Sequence, residues 1–208
     1  MTVRRLFPTL IYGAALGGRD VGRFNQRLHD EAQALRLHDA AGRRWCATNY
    51  VGGYTSYATH DQLHQTSAAF AELARRLAPH VRAYAAALRY DLRRRRLAMT
   101  DCWVNLMPAR TSHGLHLHPL SFISGTYYVR TPRRAAGLKL EDPRLAALMA
   151  APPRRQDAPE ALLPFVTVPA RAGRLVLFES WLRHEVPASA AAGERVSVSF
   201  NYAWRERG

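Results

Sequence analysis

The residues of this chain best suited to chemistry are histidines, and three of them crowd into the start of one stretch, HGLHLHPLSFISGTYYV, at 113–129. His116 and His118 stand two apart. On a strand, alternate side chains leave the same face, so both imidazoles could reach one ion. On a helix they would diverge, and Gly114 and Pro119 argue against a helix here. A histidine pair is not yet a metal site. The third partner is offered by His184 in FESWLRHEVPAS, at the end of an apolar run of strand character. Three such residues around one ion with open positions form a facial triad. His113 is read first as a packing or surface residue, with lining the entrance to that site or binding solvent as the alternative. The other histidines, His29, His38, His60, His64 and His80, fall in a helical half and are read as surface residues.

Beyond His184, Arg195 opens the run RVSVSFN. On a strand, Arg195, Ser197 and Ser199 share one face, while Val196, Val198 and Phe200 take the other. An arginine turned into a β-structured interior is costly to bury without an anion. A carboxylate answers the two-pronged guanidinium geometrically, and Ser197 could add a hydrogen bond. The spacing therefore points to a metal beside a carboxylate-bearing ligand.

Elements that could hold such residues can be read along the chain. Positions 20–37 and 60–90 carry apolar residues at helical spacing. In the second, Leu63, Phe70, Leu73, Leu77, Val81, Tyr84 and Leu88 line one face. Pro79 is expected to kink or divide that helix. Between the two, TNYVGGYTSYATH suits a loop or short strand over a pocket mouth. Past a run of four arginines, 93–96, the texture changes. DCWVNLM, SFISGTYYVR, LKLED, PFVTVPA, RLVLFESW and RVSVSFNYAW are short, β-branched and aromatic, and bounded by Gly or Pro. They predict a mainly β fold, a double-stranded β-helix or jelly roll buttressed by N-terminal α-helices. One domain is expected over 1–208, mainly helical over 1–97, with the jelly-roll core over 98–208. Residues 142–163 form a long connection, read as a lid or a disordered loop.

Bulk properties narrow the class. The 208 residues are 48% hydrophobic and 22% charged, which fits a folded chain. The net charge of +14 would fit a nucleic-acid partner, yet Lys139 is the only lysine and the arginines are spread along the chain. That skew reads as genomic codon bias, so a nucleic-acid partner is not expected. Cys46 and Cys102 are too few for a disulfide framework and fit reduced thiols of a cytoplasmic protein. The opening MTVRRLFPTLIYGAALGG is interrupted by Pro8 and is not read as a signal peptide. No run reaches transmembrane length, so no membrane partner is expected. Nothing in the sequence sets an oligomeric state.

Taken together, HLHPLSFISGTYYV, FESWLRHEV and RVSVSFN, with LFPTLIY and the GGYTS loop upstream, resemble the bacterial 2OG-Fe(II) oxygenases of the HxHP…SGxYYV group. That group is related to prolyl-hydroxylase-like Fe(II)- and 2-oxoglutarate-dependent dioxygenases. The likeness spans almost the whole chain. It implies that His116, His118 and His184 bind Fe(II), that Arg195 and Ser197 hold the distal carboxylate of 2-oxoglutarate, and that Tyr128 touches the same carboxylate. It places Asn105, on the strand before the histidines, near cosubstrate or substrate. Tyr127 alternates to the opposite face, into the core. The implied reaction consumes O2 and 2-oxoglutarate, hydroxylates a C–H bond of a small molecule, amino acid or peptide, and releases succinate and CO2. The broad superfamily carries a carboxylate where this chain has His118. Three neutral imidazoles compensate the ion's charge less than two imidazoles and a carboxylate would.

Two other readings compete. Cupins also set an HxH pair on a jelly roll, but they want a glutamate four to six residues after it. Phe122, Ile123 and Ser124 stand there. A non-catalytic binding or sensor protein would be expected to have lost a ligand or the arginine, and neither is lost.

Overall fold

The computed structural model describes residues 2–4, 6–92 and 95–206. Arg93 and Arg94, half of the arginine run, lie outside the described residues. Fourteen elements follow in order: β1 (Tyr12–Ala15), α1 (Val21–His38), α2 (Ala40–Asn49), β2 (Tyr54–Thr55), α3 (Leu63–Thr66), α4 (Ala68–Ala87), β3 (Arg95–Met107), β4 (His113–His116), β5 (Ile123–Arg130), β6 (Leu138–Glu141), β7 (Phe165–Val168), β8 (Arg174–Glu179), β9 (His184–Val186) and β10 (Arg195–Glu206). The strands form a major sheet, β1-β8-β5-β10-β3-β2, and a minor sheet, β4-β9-β6-β7, antiparallel throughout.

Alternation along the central strands divides the major sheet into two faces. One carries Val104, Leu106, Tyr127, Leu175, Leu177, Val198 and Phe200, all buried, and takes the helices. Tyr127 faces this way: its hydroxyl donates to Asn25 Oδ1 on α1 at 2.6 Å, and Asn25 Nδ2 returns a bond to the Val129 carbonyl. The other face carries Asn105, Ser124, Thr126, Tyr128, Ser197, Ser199 and Asn201, in register across β3, β10 and β5. A polar face on a central sheet is an expensive choice unless it lines a site. Gly125 explains the glycine in SGTYYV. A Cβ there would come within 2.6 Å of the Phe200 ring and 2.7 Å of Leu177, so only glycine lets the apolar face close over this point.

The helical spacing over 60–90 forms α4, with Phe70, Leu73, Leu77, Val81 and Tyr84 buried. The expected division falls elsewhere. α4 runs through Pro79, and the break from α3 comes at Ser67, which is extended and caps α4 by accepting from Phe70 N. Pro79 faces solvent, where water can satisfy the carbonyl deprived of its partner, and buried Leu77 and Val81 hold the helix on either side. α2 has no apolar stripe to announce it. Its start is fixed by Asp39, which accepts from Gly42 N at 2.7 Å and from the Tyr54 and Thr59 hydroxyls.

Residues 1–97 are not purely helical. β1 pairs with β8 at one edge of the major sheet, and β2 pairs with β3 at the other. The N-terminal part thus covers the sheet and supplies both of its edge strands. The 142–163 connection is an exposed loop with two 3-10 turns, Leu145–Leu148 and Glu160–Leu162. Cys46 and Cys102 are buried free thiols. No described helix is long and apolar enough to cross a membrane.

Candidate metal centre

The minor sheet brings the distant histidine to the local ones. β4 and β9 pair antiparallel with His116 opposite His184. His118 joins them by another route than strand alternation. β4 ends at His116, and His118 sits in the turn beyond it, tied by its backbone N–H to the Ser180 carbonyl at 3.0 Å. Pro119 and Leu120, the latter at φ 63°, follow at once and prevent the strand from continuing. One ring nitrogen from each of His116, His118 and His184 lies within 4.8 Å of the other two.

Each imidazole is oriented by a second bond. Nδ1 of His116 donates to the Gly114 carbonyl at 2.7 Å, and Nδ1 of His184 to the Leu182 carbonyl at 2.8 Å. Nδ1 of His118 donates to Asn201 Oδ1 at 2.6 Å. A carbonyl oxygen only accepts, so each Nδ1 carries the hydrogen and each Nε2 keeps its lone pair. Three Nε2 lone pairs converging in one place, each with its tautomer fixed by an outer partner, are what a divalent ion of imidazole preference requires.

The rings are also held neutral. Burial, reinforced by mutual repulsion, drives His184 down to about 3, and burial takes His118 to about 4 against the pull of the Asn201 bond. Burial lowers His116 as well. His113 stacks on His116 with ring centroids 4.2 Å apart and is pushed to about 3 by burial and its histidine neighbours. It lines the cleft but is not among the three converging residues.

The cleft over these rings, about 430 Å³ with its open mouth, is lined also by Tyr50, Trp103, Asn105, Thr126, Phe178 and Arg195. Arg195 is 5% exposed, and among the described residues no carboxylate pairs with it. Its protein partners are Met107 Sδ at 3.1 Å and Ser197 Oγ at 3.2 Å, while its Nε has none. The guanidinium lies 5.0 Å from the centre of the Tyr128 ring. The hydroxyls of Tyr50, Tyr128, Thr111 and Thr126 and the Oδ1 of Asn105 are likewise buried without partners. Asn105 Nδ2 is engaged with Ser199 Oγ at 3.0 Å. A buried guanidinium ringed by unused hydroxyls is a cradle for an anion with several acceptor oxygens.

Every residue expected from the sequence therefore faces this cleft or the Arg195 cradle. Reasoning from sequence missed Tyr50, Thr111, Trp103 and Asn201. Tyr50 had a signal, standing beside the glycine pair of NYVGGY. Asn201 continues the alternation of Arg195, Ser197 and Ser199, and Trp103 stands two before Asn105, so a period of two marks both; Thr111 lies outside any strand and has no such mark. The reading of the remaining histidines needs correction. His29, His64 and His80 are half-buried rather than surface residues, because they fall on the inward flanks of their helices. His80 Nδ1, for example, meets the Tyr12 hydroxyl at 2.9 Å.

Comparison with known proteins agrees with this geometry. Residues 101–201 match the family described as "Putative 2OG-Fe(II) oxygenase". No curated protein matches the chain in sequence. Among solved structures, a Pseudomonas putida prolyl-4-hydroxylase superposes with a TM-score of 0.61 at 17% identity, over 96% of this chain and 94% of that one. The epimerase SnoN in complex with Fe3+, alpha ketoglutarate and nogalamycin RO gives 0.64 at 15%, over 96% and 82%. HygX from Streptomyces hygroscopicus with nickel, 2-oxoglutarate and hygromycin B gives 0.58 at 15%, over 94% and 83%. At such identities the superpositions speak for the fold, a double-stranded β-helix with N-terminal helices. The stretch that matches this family model carries all three imidazoles and Arg195.

Proposed function

We propose that the chain is an Fe(II)- and 2-oxoglutarate-dependent hydroxylase acting on a C–H bond of a small molecule, amino acid or peptide. One observation carries the reading: three imidazoles, each with Nδ1 committed to an outer acceptor and Nε2 left to bind, converge beside a buried guanidinium that pairs with no carboxylate among the described residues. His116, His118 and His184 would hold the metal. Arg195, with Ser197 and Tyr128, would clamp the far carboxylate of 2-oxoglutarate, and Asn105 would offer its free Oδ1 toward cosubstrate or substrate. When bound, iron and cosubstrate supply the oxidising chemistry that places one oxygen atom of O2 in the product and the other in succinate, with CO2 released.

The protein's part is to position and to exclude water. Phe178 packs edge-on against His184 at 4.6 Å, and Trp103 lies against His118 at 5.7 Å, so two rings are walled by aromatic surface. Tyr57, half exposed, extends this wall toward solvent by its edge contact with Trp103 at 5.1 Å. A substrate entering there would meet apolar surface before the metal. The similar enzymes solved with nogalamycin RO and hygromycin B support a small-molecule substrate, and the prolyl-4-hydroxylase supports a peptidyl one.

The test is anaerobic reconstitution of the metal-free protein with Fe(II) and 2-oxoglutarate. A visible charge-transfer band on adding the cosubstrate, followed by substrate-stimulated succinate release on admitting O2, is expected. Iron binding without the band would reject 2-oxoglutarate as cosubstrate.

A further inference from the structure

We propose that Asp101 and Asn201 form a positioning relay that fixes the tautomer and ring plane of His118. The negative charge missing from the ligand set would then stand two hydrogen bonds behind it. The proposal rests on the metal reading above.

His118 differs from its two companions in how its ring is held. His116 and His184 each find an acceptor in the backbone carbonyl two positions earlier, Gly114 on β4 and Leu182 in the bend before β9. His118, in the turn beyond β4, uses a side chain from β10 instead. That side chain is not free to choose its orientation. Asn201 Nδ2 donates to Asp101 Oδ2 at 3.1 Å, and a carboxylate can only accept, so the amide nitrogen must face Asp101. The amide oxygen is thereby turned to the other side, where it accepts from His118 Nδ1 at 2.6 Å and from Ser124 Oγ at 2.8 Å. Asp101 in turn receives the Thr100 hydroxyl at 2.6 Å. The direction of every bond follows from the carboxylate. Without it, Asn201 could present its NH2 to His118, which would then carry its hydrogen on Nε2 and have no lone pair to offer an ion.

The relay is built on rigid ground. Asn201 is the register partner of Asp101 on β3 and of Ser124 on β5, and is 6% exposed. The register of β3 and β10 shifts between Asn201 and Tyr202, next to the relay. Such irregularities re-aim side chains, here toward a ligand that no strand carries.

Two readouts test the relay, one of them without metal. In chelator-treated protein, two-bond 1H–15N correlations of the imidazoles should show His118 with its hydrogen on Nδ1. Asp101→Asn should give a mixture of His118 tautomers while His116 and His184 keep theirs, and should weaken Co(II) binding, followed by visible absorption, about tenfold to a hundredfold. Asn201→Ala, which leaves β3 untouched, should weaken Co(II) similarly. The double exchange Asp101→Asn with Asn201→Asp puts a carboxylate directly behind His118 and an amide where it can donate to it. It should restore the Nδ1 tautomer and Co(II) affinity at least to the wild-type level. A single Nδ1 tautomer and unchanged affinity in both single variants would overturn the proposal, as would a folded double variant that is not rescued. Failure of the wild-type protein to bind Co(II) would overturn the metal reading instead, and the tautomer arm would still decide the relay.

Discussion

His116 and His184 are register partners across the antiparallel pair β4–β9, with ring centroids 4.3 Å apart. Two residues far apart in the chain become neighbours because directly opposed side chains on antiparallel strands leave the same face a few ångströms from each other. The minor sheet is thus what assembles the candidate metal centre, and His118 is added to it by a turn.

The first expectation follows from that pairing. His184→Ala removes one of three nitrogens and should abolish iron-dependent succinate formation, with Co(II) binding lost in the same variant. Thermal melting should stay cooperative, since Phe178, Leu182 and Val186 still fill the surrounding core. Residual wild-type turnover in this variant would show that His184 is not a ligand.

Arg195 makes a two-sided expectation. Its guanidinium is buried without a counter-charge, so it destabilises the protein in the absence of an anion. Arg195→Ala should weaken 2-oxoglutarate binding by roughly 3 kcal/mol, about a hundredfold, by calorimetry. Arg195→Met, close in volume and apolar, should lose the cosubstrate equally but raise the melting temperature of the ligand-free protein. Added 2-oxoglutarate should raise the melting temperature of wild type with Fe(II) by mass action and leave both variants unmoved.

Much of this site is legible in the sequence, and the reason is periodicity. The face shared by Arg195, Ser197 and Ser199, the cleft-facing Tyr128 and the helix-facing Tyr127 all follow from a period of two on strands bounded by clear signals. Helix α4 follows in the same way from its apolar stripe. What periodicity cannot give is position outside regular elements. The i, i+2 spacing predicts a strand position for His118, which reaches the same place from beyond the strand's end. Local propensity puts at Pro79 the break that belongs to the Ser67 cap, because it cannot weigh the packing of Leu77 and Val81 against one lost bond. Helix α2 and the roles of Tyr50 and Asn201 depend on contacts between distant segments, which no local pattern records.

The metal-free protein should lose stability in mild acid. Burial and mutual repulsion hold His113 and His184 at about 3 and His118 at about 4 in the fold, against 6.5 unperturbed, and His116 moves the same way. Between about pH 6.5 and pH 4 the unfolded chain therefore binds protons that the folded protein refuses. Stability is full above pH 6.5 and falls with pH through that window, by up to about 1.4 kcal/mol per pH unit for each imidazole. Denaturant titrations of chelator-treated protein should show this decline. His113→Phe, which removes one titrating ring but keeps an aromatic surface against Tyr50, should make it shallower. A midpoint that stays flat from pH 7 to pH 4.5 would contradict these burial-driven shifts.

Tyr50 separates binding from stability. Its hydroxyl is buried without a partner, its ring meets His113 edge-on at 5.3 Å, and burial raises its pKa while the charge of Arg195 opposes the rise. An unpartnered buried hydroxyl weakens a fold, so its removal should be neutral or stabilising in the ligand-free protein. If that hydroxyl donates to the carboxylate held by Arg195, Tyr50→Phe forfeits a charge-assisted bond of about 1.5 kcal/mol, or about tenfold in 2-oxoglutarate affinity. The expected result is an unchanged or higher melting temperature without ligand, unchanged Co(II) affinity, and cosubstrate binding weakened about tenfold. Equal loss of stability and affinity would mean that Tyr50 acts by packing around Gly53, where an added Cβ would come within 2.7 Å of the Tyr50 ring and 2.8 Å of Thr111. Gly53→Ala discriminates further. By pushing the Tyr50 ring away from its seat it should reproduce the affinity loss of Tyr50→Phe, and in the Tyr50→Phe background it should add little beyond its own cost in stability.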